Sequence, residues 1–239
     1  MVWNNNNTAT MPGAEVRVEV MNAFMRSIYN WMTVGISLTA AISYAITYTA
    51  VGPMLLAAGG QMLFWGTLIG SFIMAFYLQA RVQKLEASTA AGLFILYSAL
   101  NGIWLSYVLQ IYTGASVANA FIATAGMFGA MSLYGLYTKK DLTSWGSFLF
   151  MGLIGIIIAM LVNLFLQSPV MTMAISVIGV IIFCGLTAYD TQLFREMGAN
   201  LPPNDVTAVR RGVIIGALTL YLNFLNLFLM LLRLIGNRD

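Results

Sequence analysis

The chain has 239 residues, of which 60% are hydrophobic and 8% are charged, and its formal net charge is +3. Such an apolar chain, with long charge-free runs, is typical of a polytopic membrane protein and excludes a soluble domain. Histidine is absent and Cys184 is the single cysteine, which excludes an internal disulfide and removes the usual general base and metal ligand. The basic residues form short clusters between apolar runs, a pattern of membrane topology and not of nucleic-acid binding.

The chain begins with a polar segment, residues 1–28, which we interpret as a partly disordered or interfacial cytoplasmic tail. Apolar residues at helical spacing in its second half predict contact with the membrane surface: Met21, Phe24, Met25 and Ile28. Residues 29–239 form the predicted transmembrane domain. Its seven uncharged runs match or exceed the roughly 20 residues that a bilayer requires: Tyr29–Val51, Met54–Gln79, Ala87–Tyr112, Ser116–Tyr137, Gly146–Leu166, Val170–Tyr189 and Gly212–Leu232.

The connections between the spans fall into two kinds. Three are short and uncharged and predict tight turns: Gly52-Pro53, Thr113-Gly114-Ala115 and Gln167-Ser168-Pro169. The tail and the other loops carry the positive charge: Arg17, Arg26, Arg81, Lys84, Lys139, Lys140, Arg195, Arg210 and Arg211. The positive-inside rule therefore predicts a cytoplasmic N-terminus and an outer C-terminus. Arg233 and Arg238 oppose this assignment, and a re-entrant last segment, which would return the C-terminus to the cytoplasm, is the alternative.

Asp190 follows a charge-free run, Val170 to Tyr189, and is itself followed by apolar Leu193 and Phe194. A charge at the centre of a membrane helix costs roughly 2.5–3.5 kcal/mol on insertion scales. A carboxylate kept at this place predicts an ion path, a proton site or a structural lock. The alternative is that the helix ends here and Asp190 is hydrated.

Small residues four positions apart predict close helix contacts at three places: Gly66 with Gly70, Gly126 with Ala130, and Gly212 with Gly216. The last pair lies in the seventh span, which also carries Tyr221, Asn223 and Asn226. We therefore expect the seventh span to be surrounded by other helices.

Four segments carry a family resemblance: Phe76-Tyr77-Leu78-Gln79-Ala80-Arg81, Thr138-Lys139-Lys140-Asp141-Leu142-Thr143, Leu186-Thr187-Ala188-Tyr189-Asp190-Thr191-Gln192, and the run from Ala217 to Phe228. With them the chain resembles the Bax inhibitor-1 (transmembrane BAX inhibitor motif) family, and its bacterial YccA- and YetJ-like branch in particular. The resemblance implies an all-α seven-helix bundle with the last helix at its centre. It also implies a proton-sensitive calcium leak in some members and modulation of a membrane-bound quality-control protease in others.

The resemblance also assigns roles to individual residues. Members with the proton-sensitive leak carry two carboxylates, and the first of these matches Asp190. The second matches Asn223, an amide, and a glutamate common in span two corresponds to Ser71. Arg81 matches an arginine thought to pair with the carboxylates. We therefore expect Asp190, Asn223 and Arg81 to meet at the cytoplasmic mouth, where burial favours a neutral Asp190 and the Asn223 amide favours its carboxylate; which effect dominates stays open.

Calcium prefers six to eight oxygen ligands. Asp190 could offer a weak, transient calcium site with help from Asn223, Asn226 and Thr187, and Tyr189 is a further candidate beside the pathway. A leak needs only weak binding, because the ion must also leave. The alternative for the two asparagines is that they are hydrogen-bonding residues between helices.

Other seven-helix functions fit less well. A retinal protein needs a lysine in its last span, and an intramembrane aspartyl protease needs a second aspartate there; the seventh span contains neither. A solute carrier is disfavoured because no proline lies in mid-span. We therefore predict a bacterial inner-membrane calcium leak, without enzymatic activity or a cofactor, whose partners are the lipid bilayer and the permeant cation. The alternative is a non-transporting regulator of a membrane-bound protease or of a stress response.

Overall fold

The computed structural model describes residues 12–57, 59–81, 84–201 and 205–237, and these residues fold as an all-α protein without strands. The helices of the described ranges are α1 (Pro12–Tyr48), α2 (Val51–Ala57), α3 (Gly60–Arg81), α4 (Ala87–Leu109), α5 (Gly114–Tyr137), α6 (Thr143–Leu166), α7 (Pro169–Asn200) and α8 (Val206–Ile235). By length and composition, α3 to α8 are the six described helices able to cross a membrane. A seventh span over α1 stays a prediction.

The predicted tail differs from the folded chain. Residues 1–11 lie outside the described residues, whereas residues 12–28 form the first part of α1, which continues without a break through residue 28. Phe24 and Ile28 are buried. A Cβ added at Gly198 or Gly212 would lie 2.8 or 3.0 Å from the Phe24 ring. The predicted contact of these apolar residues with the membrane surface is therefore wrong, because they pack on α7 and α8.

The second predicted span, Met54–Gln79, is divided in the structure. The short helix α2 ends at Ala57 and α3 begins at Gly60, with Gly59 between them at a φ of 114°. Glycine adopts this left-handed conformation without the steric penalty of other residues, which explains the break. The turn predicted at Gly52-Pro53 is also misplaced. Pro53 lies in the first turn of α2, where a missing N–H costs no hydrogen bond.

The two other predicted turns are confirmed. Thr113 caps α5, because its hydroxyl accepts the Ser116 N–H at 3.2 Å. Gln167 adopts the left-handed conformation with a φ of 49°, and Ser168 then caps α7 by accepting the Met171 N–H at 3.3 Å. Both caps satisfy backbone donors that a helix start leaves without partners.

Hydroxyl side chains join α1 to α4. Three of them donate to α4 carbonyls, and each step of four residues on α1 matches a step of four on α4: Thr39 to Ser98, Ser43 to Gly102 and Thr47 to Ser106, at 2.8, 2.9 and 3.4 Å. The two helices therefore run parallel and in close contact. These polar residues contribute to the lower apolarity of α1, together with the charged residues of its first half.

Helix α8 packs against α1, α4, α5 and α7. Of its most apolar window 72% is buried inside the protein, compared with at most 50% in the other candidate spans. The close approach predicted at Gly212 and Gly216 is confirmed, since a Cβ at Gly216 would lie 2.6 Å from Ile28 Cδ1. At Gly66, Gly70 and Gly126 no heavy atom would lie within 4 Å of an added Cβ, so the close contacts predicted there are absent from the described part of the chain.

The bundle has two different ends: the loop end, with the segments before α4, α6 and α8, and the turn end, with the segments before α5 and α7. At the loop end, the Arg211 side chain on α8 donates to the Leu85 carbonyl before α4 at 2.9 Å. At the turn end, Asn237 after α8 accepts the Thr113 N–H at 3.1 Å and donates to the Ser116 hydroxyl at 2.9 Å. Because α8 contacts both ends, it extends through the whole length of the bundle.

Candidate functional site around Asp190

Helix α7 carries Asp190 well inside the bundle. The helix continues to Asn200, so the alternative in which the helix ends at Asp190 is wrong. Apolar Phe194 is buried beyond the aspartate, which explains why the helix continues past the charge. Asp190 is 9% exposed and is therefore a buried carboxyl group.

Asn223 of α8 is the hydrogen-bonding partner of this carboxyl group. Its Nδ2 donates to Asp190 Oδ2 at 2.6 Å, and the asparagine is only 5% exposed. This bond joins α7 and α8, the two longest candidate spans. When the carboxyl group is ionised, such a bond is stronger than one between neutral groups. The predicted contact between Asp190 and Asn223 is present.

Arg81 is not part of this contact. It lies exposed at the end of α3, and within the described residues no hydrogen bond or ion pair joins it to Asp190. The physical reason is the position of α3, which packs mainly against α4 and not against α7 or α8. The expected meeting of Arg81 with Asp190 is therefore wrong for this structure.

The four residues from Tyr189 to Gln192 contact four different parts of the bundle. A Cβ at Gly146 of α6 would lie 2.6 Å from the Tyr189 ring, and Asp190 accepts from α8. Thr191 shares a 3.3 Å hydrogen bond with the Tyr29 hydroxyl of α1. Gln192 binds the segment between α5 and α6. This stretch of α7, which we call the hub, connects the elements around Asp190.

Gln192 binds two backbone groups of one loop. Its Oε1 accepts the Leu142 N–H and its Nε2 donates to the Lys140 carbonyl, both at 2.8 Å. Arg195, one turn later, donates to the Leu136 carbonyl at the end of α5. In the same loop, the side chain and backbone of Thr143 donate to Asp141 and lower the pKa of that exposed carboxyl group. The α5–α6 loop is thereby tied to the hub.

The remaining predicted residues bond within their own helices. Asn226 Nδ2 donates to the Leu222 carbonyl at 2.9 Å, and the Thr187 hydroxyl donates to the Phe183 carbonyl at 2.7 Å. Ser71 likewise donates to the Leu68 carbonyl at 2.7 Å. Tyr189 faces α6. None of these contacts joins them to Asp190, so the described site consists of Asp190 and Asn223 together with the hub.

Comparison with known proteins places these elements in a family. The family model described as "Inhibitor of apoptosis-promoting Bax1" matches residues 21–239, which include both halves of the site. The chain belongs to the Bax inhibitor-1 family. Inner membrane protein YbhL of Escherichia coli K12 is 49% identical over 219 residues, which cover 91% of this chain and 93% of YbhL.

Further relatives of comparable length have no described function. An uncharacterized protein of Borreliella burgdorferi is 40% identical over 92% of this chain and 94% of its own. Uncharacterized protein RP147 of Rickettsia prowazekii is 43% identical over 92% of each chain. The apolar helices and the inner-membrane relative identify this Bax inhibitor-1 family member as a membrane protein in contact with the lipid bilayer.

The donor set at Asp190 limits which ions this family member could hold. In the described part of the chain, no group of three or more cysteine or carboxylate side chains is placed to hold a metal ion. Asp190 contributes one carboxylate and Asn223 one amide oxygen, far fewer than the six to eight oxygens of a tight calcium site. These donors alone are too few for tight calcium coordination.

The sequence did not predict the structural role of Gln192 and Arg195, which bind the α5–α6 segment to α7. Gln192 lies at the end of a segment that carries the family resemblance and Arg195 three residues after it, but their backbone partners are 50 or more residues away in the chain. A buried glutamine and an exposed helical glutamine have the same local sequence signal. Only the position of Gln192 two residues after a costly buried charge could have singled it out.

Proposed function

We propose that this Bax inhibitor-1 family member is a weak, calcium-permeable cation leak in which Asp190 controls passage. The observation that supports this proposal is the Asn223–Asp190 hydrogen bond of 2.6 Å between two candidate membrane spans. Charged side chains at membrane depth are costly and typically mark ion or proton pathways.

The hydrogen bond suggests how passage is controlled. The Asn223 amide occupies one oxygen of Asp190 and holds α7 against α8 in the closed form. A cation that enters must compete with this amide for the carboxylate. When the cation replaces the amide as the partner of Asp190, the bond between α7 and α8 is lost and the path opens. Because Asp190 is a single carboxylate, it binds the ion weakly and releases it readily, as conduction requires. Protonation of Asp190 removes its charge, so acid is expected to reduce flux.

We further propose a topology of seven spans, with α1 as the first span and α8 at the centre. In support, the hydroxyls that make α1 less apolar donate to α4 and do not face lipid, so they do not oppose insertion. The positive-inside rule then places the loop end and the N-terminus in the cytoplasm and the turn end outside. Reporter fusions at the C-terminus test this orientation, and a cytoplasmic signal would contradict it.

The test of the leak is calcium uptake into liposomes that contain the purified protein. Wild type should show flux above empty liposomes, and Asp190→Asn should lower it markedly. Glu196→Gln is the matched control, because Glu196 lies exposed on the same helix, and it should conduct like wild type. Circular dichroism and gel filtration establish that each variant is folded.

Two outcomes would contradict the proposal. Flux that Asp190→Asn leaves unchanged would remove Asp190 from the pathway. If every variant stays at the level of empty liposomes, the protein is not a leak, and the non-transporting regulator of a membrane-bound protease becomes the hypothesis to pursue.

A further inference from the structure

A groove lies between α1 and α5 in the half of the bundle near the turn end. Its volume is about 640 Å³, and Phe224 and Leu225 of α8 form its floor. Helix α1 packs on α4, α7 and α8, whereas α5 packs on α7 and α8, so the two walls flank α8. The groove therefore borders one side of α8, the most buried of the candidate spans.

Small side chains leave part of the space between the two walls unfilled. Ala40 on α1 and Gly114 and Ala118 on α5 line the groove, and none of them can reach across it. The buried hydroxyls of the lining are already engaged with protein, since Thr39 bonds Ser98 and Tyr221 while Ser43 bonds Gly102. Apart from the exposed Tyr44 and Tyr48, the groove consequently offers mainly hydrocarbon contacts.

The groove is continuous with the surface that faces lipid. Tyr44 and Ile122, on opposite walls, are 65% and 69% exposed. From Ile36 to Tyr48 on α1 the lining extends about 18 Å, at about 1.5 Å per helical residue. One leaflet of the bilayer contributes roughly 15 Å of hydrocarbon. The groove therefore matches the depth of a single leaflet.

We propose that one acyl chain of a membrane phospholipid, from the leaflet at the turn end, occupies this groove between Ala40 and Ala118. The chain lies on Phe224 and Leu225 and completes the packing of α8, which α1 and α5 leave open. This lipid site does not depend on the proposed leak. A protein without any calcium flux would retain it.

The test uses a phospholipid with a photoreactive diazirine in the middle of one acyl chain, reconstituted with the full-length protein. After irradiation, mass spectrometry locates the labelled residues. We expect labelling at Phe121 and Leu225 to exceed labelling at Ile158, which lies exposed on α6 away from the groove, by about an order of magnitude. Ala118→Phe fills the groove and should reduce labelling at Leu225 to the level found at Ile158.

Matched variants make the result decisive. Ala130→Phe makes the same change at an exposed position of α5 outside the groove lining and should leave the labelling as in wild type. Ala40→Phe fills the groove from the opposite wall if Ala118→Phe does not fold. Equal labelling of Leu225 and Ile158 in wild type, or unchanged labelling in both filled variants, would overturn the proposal. Labelling by a photoreactive free fatty acid but not by the phospholipid would overturn it as well.

Discussion

Asn223 donates its amide to Asp190 across the interface of α7 and α8, at a distance of 2.6 Å. This bond combines one group that can ionise with one that cannot. The pair therefore carries at most one negative charge and can bind or release one proton. Where two carboxylates occupy such a pair, like-charge repulsion couples their protonation, and the titration belongs to both groups together.

Asn223→Asp should introduce that coupling. Two carboxylates at this distance cannot both ionise readily, so the pair retains a proton to higher pH than Asp190 alone. We expect calcium flux in proteoliposomes to depend more steeply on acid pH in Asn223→Asp than in wild type. Asn226→Asp adds a carboxylate on the same helix without contact to Asp190, and it serves as the control. Identical pH profiles for wild type and Asn223→Asp would argue against proton control at this pair.

Substitutions at Asn223 and at Asp190 should differ in their effect on the stability of the folded protein. Asn223→Leu leaves a buried carboxyl group without its donor, which costs about 1–3 kcal/mol in free energy of unfolding. Asp190→Asn removes the charge and allows an amide–amide hydrogen bond, so its melting temperature in detergent should equal or exceed that of wild type. If Asn223→Leu melts like wild type, the hydrogen bond does not hold α7 to α8.

The sequence predicted the helices and the Asp190–Asn223 contact, but not the arrangement around them. Charge-free runs reveal spans because the bilayer core requires them, but a charge does not mark a helix end, since α7 continues past Asp190 to Asn200. Arg81 was expected near Asp190 from resemblance, yet the position of α3 depends on packing that no local pattern records. The hydroxyls of α1 appeared unremarkable in the sequence until their α4 carbonyl partners were known.

Gln192→Ala should loosen the α5–α6 loop. The variant loses two hydrogen bonds to the backbone at Lys140 and Leu142, each worth about 0.5–1.5 kcal/mol. Hydrogen–deuterium exchange of residues 138–142 should become about 10-fold faster, and Gln192→Glu, which keeps the acceptor for Leu142, should show a smaller increase. Gln79→Ala replaces an exposed glutamine and should leave the loop unchanged. Unaltered exchange in Gln192→Ala would show that other contacts hold the loop.

The interface of α1 and α4 should tolerate the loss of a hydroxyl better than the addition of a methyl group. Ser43→Ala removes one of several parallel hydrogen bonds, and such bonds in membrane proteins average about 0.6 kcal/mol. Gly102→Ala places a Cβ 2.8 Å from Ile42 Cβ and 3.0 Å from the Thr39 carbonyl, so the helices must separate at a cost of about 1–3 kcal/mol.

Gly66→Ala provides the matched control for this comparison. An added Cβ there meets no heavy atom within 4 Å, and alanine favours the helix by up to about 1 kcal/mol. Thermal unfolding in detergent should therefore rank Gly102→Ala as the least stable, Ser43→Ala as intermediate, and Gly66→Ala as equal to wild type or better. Equal melting temperatures for the two glycine variants would contradict close packing of α1 on α4, because the added methyl group would then find as much space at Gly102 as at Gly66.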